Sequence, residues 1–427
     1  MGHGTNADQK SVFHLLDALL VAWLVLIGAD RIDFFMGNGG FVLTPFLILS
    51  PLVVTAIFYQ AALGRPKLPL KLPRSLFAFS LIATALIATI LISVVLGSGN
   101  ELGIKRACFL MVQIYTTILV AIALHNAPAL QRALLLGARI GVLFFLLFDL
   151  LEIANWLNLP AVAFLKTPGL INPVPWALWF CPRPSGMSLD PSRGGVLLAF
   201  YSFIILRCGN RPRLDTFLIY LGFFMLILTG SRSALIAYML MMTVFNLQRF
   251  RLRRWPIIRI GAMIAVALLL FFCLANANVP NLNIGLLLTE RTSFDPADSG
   301  GIHLSLIARA AEVADMSLKN MLIGIGFGNS LSVLENFFPG DKYANFHSMY
   351  LSIWVESGIV ALLLLLTLSG LPFLRSGTYV PLLTMLIWFN IFYQLTLEPA
   401  FWLCLAMAWG NLQLQKSHSG KQMAVQS

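Results

Sequence analysis

His347 stands in the stretch "NFHSMYLSIWVESG" (345–358), where hydrophilic chain gives way to an apolar run. An imidazole at such a boundary can take a proton from an attacking hydroxyl, or it can be a wet interfacial side chain. Tyr350, Leu351 and Trp354 follow at i+3, i+4 and i+7, so helical spacing places all four on one face. Three other stretches carry arginines suited to an anion. "CPRPSGMSLDPSRGG" (181–195) holds Arg183, Asp190 and Arg193, and "LTGSRSALIAYML" (228–240) holds Arg232 in a tight turn between apolar runs. "LIARAAE" (306–312) holds Arg309. Planar guanidinium forks match phosphate and pyrophosphate oxygens. The glycines of "IGIGFGN" (323–329) could let backbone N–H groups approach the same oxygens.

Each candidate also has a purely structural reading. Arg183 and Arg193 either pair with Asp190 or snorkel to lipid headgroups. Arg309 on an amphipathic face reads equally as a solvated or headgroup contact. Glu356 lies about half a turn around the helix from His347 and reads as a packing residue. Asp149 and Glu152, inside an apolar run, read either as a proton relay or as partners of Arg139. "DPAD" (295–298) is only superficially like a metal-ligand pair, so neither a metal nor another cofactor is expected.

These residues need elements to position them, and composition says which kind. Apolar residues make up 58% of the 427, charged residues 11%, and the mean hydropathy is +0.83. Soluble domains run near 45–50% apolar and about 25% charged. The chain is therefore expected to be an all-α polytopic membrane protein. Five scattered cysteines without a CxxC read as small core residues rather than a disulfide frame or zinc site, and no cleavable signal peptide is evident.

Apolar runs of spanning length fall near 13–30, 41–63, 75–96, 107–125, 134–157, 193–207, 215–230, 232–247, 257–276, 348–370, 380–396 and 398–413, about twelve helices. Basic short loops at 64–74, 130–132, 207–213, 248–255 and 373–377 place those loops and both termini in the cytoplasm. The opposite face then collects Arg183, Arg193, Arg232, Arg291 and Arg309 against that rule. A net charge of +11 distributed in this way points to an anionic, membrane-borne substrate and not to nucleic acid. Three regions result: nine spans in 1–276 with a shorter outer loop at 158–192, one large outer loop at 277–347, and three spans with a cytoplasmic tail in 348–427. Within the large loop, "LIARAAEVADMSLKNM" (306–321) has the spacing of an amphipathic surface helix.

In order, "RPSGMSLDPSRGG", "TGSRSALIAYML", "ARAAEVADMSLKNMLIGIGFGN" and "HSMYLSIWVESGIVALLLL" resemble the O-antigen polymerase and O-antigen ligase superfamily of bacterial inner-membrane glycosyltransferases. The resemblance covers residues 181 to about 370, and the twelve-span, GT-C-like frame extends it to both ends. It implies a periplasm-facing site and a glycan donor carried on undecaprenyl pyrophosphate. The implied acceptor is another lipid-linked glycan or lipid A core, with membrane lipids and envelope polysaccharide assembly proteins as neighbours. Arg232 and Arg309 correspond to arginines that bind the pyrophosphate, and His347 to the histidine heading the helix after the loop. Arg183, Asp190, Arg193 and Arg291 are then candidate donor contacts, and Tyr350 and Trp354 candidate sugar-facing residues.

The implied chemistry agrees with the residue types. Fixed cations stabilise the charge that grows on a departing pyrophosphate, and a neutral imidazole can accept the proton of the attacking hydroxyl. A helix N-terminus disfavours added positive charge, which keeps such an imidazole a free base. Metal-independent transfer follows as an expectation. Arg183 and Gly194 match an R-x10-G loop pattern of some polymerases, and "SLDPSRGG" resembles the acidic-Pro-Ser step beside their arginine; against this, Asn320 stands eleven positions after Arg309, and a single dominant outer loop is the ligase pattern. The reading taken is polymerisation of O-antigen or exopolysaccharide repeat units, with ligation to lipid A core as the alternative. The rival classes are a twelve-helix transporter or flippase, which would use Asp149 and Glu152 near the midplane, and a non-catalytic envelope scaffold.

Overall fold

The structure, a computed structural model, describes residues 14–35, 43–64, 67–97, 101–162, 170–171, 183–249, 299–337, 345–375, 377–412 and 414. Fourteen α-helices account for most of them: α1 His14–Val25, α2 Pro45–Ala62, α3 Arg74–Leu96, α4 Glu101–Asn126, α5 Gln131–Trp156, α6 Pro191–Cys208, α7 Pro212–Leu228, α8 Arg232–Arg249, α9 Ser299–Asp315, α10 Leu318–Ile323, α11 Leu331–Leu334, α12 Met349–Arg375, α13 Val380–Phe392 and α14 Pro399–Trp409. Among the described residues the only extended pairing is an isolated bridge between Ile32 and Ile171.

Apolar runs build these helices, and proline sets where several begin. Pro45, Pro191, Pro212 and Pro399 each stand at a first helical position, where the missing N–H is harmless and the fixed φ suits the helix. The expected spans at 13–30 through 232–247, and the last three, all coincide with helices. The expected span at 257–276 lies outside the described residues. Among those described, five helices are long and apolar enough to cross a membrane: α2, α3, α4, the segment containing α5, and α12. α1, α13 and α14 are shorter apolar helices. α6 and α14 bury nearly every residue and form the inside of the bundle. α6 packs on α5, α7 and α8, and α14 packs on α4.

Polar contacts divide the connections between two ends. At one end Asn126 donates to the Lys71 carbonyl (2.8 Å), Arg139 pairs with Asp215 (2.6 Å), Arg207 donates to Gln248 (2.9 Å), and Tyr379 donates to the Leu412 carbonyl (3.1 Å). These join the basic short loops expected on one side. The opposite end gathers residues 26–35, 183–190, 229–231, 317–337, 345–348 and 393–398.

Two sequence expectations change here. Arg139 does not pair with Asp149 or Glu152; its partners are Asp215 and Asn210, at the other end of the bundle. The amphipathic segment expected at 306–321 is two helices. It starts earlier, at Ser299, and breaks after Asp315, where Ser317 caps α10 by accepting the Asn320 N–H (3.1 Å). A serine there offers the backbone an alternative to continuing the helix.

Candidate functional site

The loop before α6 is held by carboxylates from distant elements. Asp190 caps α6 by accepting the N–H groups of Ser192 (2.7 Å) and Arg193 (3.2 Å). Arg193 then reaches away from Asp190, to Asp30 (2.8 Å) and to Glu398. Asp30 also accepts the Leu189 N–H (2.6 Å). One guanidinium thus ties the segment after α1, the start of α6 and the start of α14 together. Neutralised from two sides, Arg193 is a structural cation; the expected pairing with Asp190 is replaced by these two partners. Burial lowers the Arg31 guanidinium from its ordinary value, and Glu152, Asp30 and Asp149 oppose that shift.

Arg183 lies across the turn between α7 and α8. Its Nε donates to the Thr229 carbonyl (3.2 Å), a carbonyl at the C-terminal end of α7 where intrahelical donors run out. Gly230 adopts φ +61°, and a Cβ there would meet Arg183 Nε at 3.4 Å. Arg232 opens α8 directly after this turn. It is exposed, and among the described residues it has no carboxylate within ion-pair distance. Gly195 of α6 packs beside the same turn, its Cβ direction meeting Ala234 and Thr229 Oγ1.

His347 is not part of the helix that follows it. α12 begins at Met349, and His347 has φ +50°, a left-handed conformation uncommon for any residue but glycine. Its N–H donates to Asn345 Oδ1 (2.9 Å), closing an Asx turn. The Met349 N–H donates to the Tyr393 carbonyl (2.9 Å), and Ser348 Oγ to the Asn390 carbonyl (3.3 Å). The helical face expected to run from His347 through Tyr350, Leu351 and Trp354 therefore does not form. Tyr350 packs against the main core, whereas Leu351 packs with the cluster under α9. Trp354 is partly buried, and among the described residues its indole N–H has no hydrogen-bond partner.

Two contacts tie the His347 segment to the other candidates. Tyr393, whose carbonyl anchors Met349, places its phenol beside Asp190 and near Arg193. On the other side Phe346 is buried in one cluster with Leu306, Ala310, Val313, Leu334 and Val355. Leu306 and Ala310 flank Arg309 on α9. Arg309 itself donates to the Val333 carbonyl (3.2 Å) and pairs with Glu312 (3.0 Å).

The glycine turn holds a carboxylate of this chain. Glu356 accepts the Ser330 hydroxyl, with the backbone of Gly328 and Ser330 and the Arg106 guanidinium close by. The N–H groups of Ile325 and Gly326 donate to the carbonyls of Val355 (2.9 Å) and Glu356 (3.0 Å), and that of Phe327 to Ser93 Oγ (3.2 Å). Those two carbonyls are released because α12 breaks at Gly358 (φ 82°, ψ 174°). Gly324, Gly326 and Gly328 all have positive φ, which fits a backbone that alternates direction at each glycine. The expected phosphate cradle is a nest already filled from within.

Of the sequence candidates, Asp190, Arg193, Arg183, Arg232 and His347 are joined by this contact chain at one end of the bundle, and Arg309 adjoins through Phe346. Arg291 lies outside the described residues. Sequence reading missed Asp30, Glu398 and Tyr393. Asp30 ends the first apolar run beside Arg31, and Glu398 stands immediately before Pro399; both are charges at span ends, the signal that could have drawn attention to them.

No curated protein matches the chain. Residues 217–366, from within α7 to within α12, match a family model described as Wzy_C, O-antigen ligase. That match agrees with the O-antigen polymerase and ligase superfamily, and for this multi-pass membrane protein it supports a glycan-transferring function of the O-antigen ligase and polymerase type.

Proposed function

We propose that the chain is a periplasm-facing glycosyltransferase that moves a glycan from undecaprenyl pyrophosphate to a sugar hydroxyl. The acceptor oxygen forms a bond to the anomeric carbon as the bond from that carbon to the pyrophosphate oxygen breaks. His347 takes the hydroxyl proton, and undecaprenyl pyrophosphate leaves with its negative charge held by Arg232 and Arg309. The carrying observation is the exposed Arg232, without an ion-pair partner among the described residues, at the bundle end where Tyr393 links the His347 segment to Asp190 and Arg193. A cation kept out of internal pairing remains available for a developing anion.

On the acceptor, the ligase reading is placed first. The R-x10-G pattern has a packing explanation: Gly194 admits the Ser185 carbonyl, which a Cβ would meet at 2.5 Å, and Arg183 holds the 229–231 turn. The spacing therefore follows from the loop's own closure, and the ligase description of the matched model weighs more. Polymerisation stays as the second reading because "SLDPSRGG" resembles the loops of polymerases. Purified protein given lipid-linked glycan with lipid A core, or with a second lipid-linked unit, separates them by which acceptor is extended. If neither is extended, the glycosyltransferase reading fails.

A further inference from the structure

Asp149 and Glu152 lie in a helix long and apolar enough to cross a membrane, yet both serve one short stretch of backbone. Glu152 accepts the Ser185 N–H (2.9 Å), and Asp149 accepts the Gly186 N–H (2.8 Å). Arg31, 1% exposed, pairs with Glu152 and donates to the Gly186 carbonyl (2.8 Å). The Arg31 N–H also donates to the Met187 carbonyl (3.2 Å). Three buried ionisable side chains thus fix residues 185–187, two from α5 and one from the segment after α1. A buried ion pair is seldom retained for stability alone, since apolar residues of similar volume serve as well; setting a register is its best-attested use.

The register set here ends at the donor-facing cation. Two residues before Ser185, Arg183 donates to the Thr229 carbonyl, under the turn from which Arg232 projects. We propose that Arg31 and Glu152 are positioning residues for Arg232, acting through Arg183 and the Thr229–Ser231 turn. They do not touch substrate. Losing Glu152 releases the loop, Arg183 loosens its hold on the turn, and Arg232 leaves the position that meets the pyrophosphate. Each carboxylate spends one oxygen on loop backbone, Glu152 on the Ser185 N–H and Asp149 on the Gly186 N–H, which weighs against a transport role for the pair. The inference rests on the reading that Arg232 binds the donor pyrophosphate.

A double-mutant cycle tests it, using full-length protein in lipid nanodiscs and undecaprenyl-pyrophosphate-linked glycan as donor. Glu152→Gln is expected to raise the donor KM about fivefold to tenfold in the parent protein, and to change it less than about twofold in an Arg232→Ala background. An equal effect in both backgrounds, or a lowered thermal midpoint with unchanged KM, overturns the inference. If Arg232→Ala alone leaves the donor KM unchanged, the pyrophosphate reading fails and takes the inference with it. Additivity alongside a raised KM for Arg232→Ala sinks the inference alone. Should Glu152→Gln fail to reach the membrane, Arg31→Lys, which keeps the charge and loses the fork, runs the same cycle with the same expectation.

Discussion

Gly358 of α12 and Leu322 of α10 meet backbone to backbone: a Cβ on Gly358 would stand 2.1 Å from the Leu322 carbonyl oxygen. With φ at 82° the position is also one that a side chain strains. This contact lets the glycine turn hydrogen-bond across the break in α12, and so fixes the 318–330 segment to a helix long and apolar enough to cross a membrane. Gly358→Ala is expected to destabilise the protein by about 1–3 kcal/mol or more, read as a fall in the thermal midpoint in detergent. An unchanged midpoint would mean the break does not depend on this approach.

Glu356 fills the nest made by the glycine turn. Glu356→Ala leaves the Ser330 hydroxyl without the carboxylate oxygen that accepts it. A loss of about 1–3 kcal/mol follows from the unmade bond. Protease sensitivity of the 299–337 segment is the direct measurement, and it should rise before the remaining helices open.

The helices were legible in the sequence because apolar length is a local property, and the segregation of basic loops was legible for the same reason. Long-range partners were not. Arg193 looked like a partner of Asp190 three residues away, but Asp190 Oδ1 caps its own helix N-terminus, and the cation goes to Asp30 and Glu398. His347 looked helical by spacing, whereas the Asx turn with Asn345 and the anchor to Tyr393 delay the helix to Met349. The glycine run was correctly read as a nest-forming turn, but its occupant lies 26 residues from Ser330 and only folding reveals it.

Arg193 and Arg232 should separate by assay. Arg193→Gln leaves Asp30 and Glu398 without their shared cation, so folding yield and thermal midpoint fall, by roughly 1–3 kcal/mol. Arg232→Ala leaves no carboxylate partner behind among the described residues, so the midpoint is expected to hold while kcat/KM for the lipid-linked donor drops by about 10²–10³-fold. Parallel unfolding and donor titrations check both. Equal loss of stability in the two variants would contradict the division into structural and donor-facing cations.

Arg309 already shares its charge with Glu312. Glu312→Gln is therefore expected to strengthen donor binding by a few-fold, as a partly exposed pair carries only about 0–1 kcal/mol. Donor KM at low ionic strength is the measurement, and a weaker KM would argue that Glu312 orients Arg309 for its task.

The central claim is that His347 accepts the acceptor proton. Single-turnover transfer from a lipid-linked glycan by purified His347→Ala, with donor binding measured in the same preparation, tests it most directly. The account predicts transfer reduced about 10²–10⁴-fold with donor affinity retained. Full transfer activity in His347→Ala would contradict it.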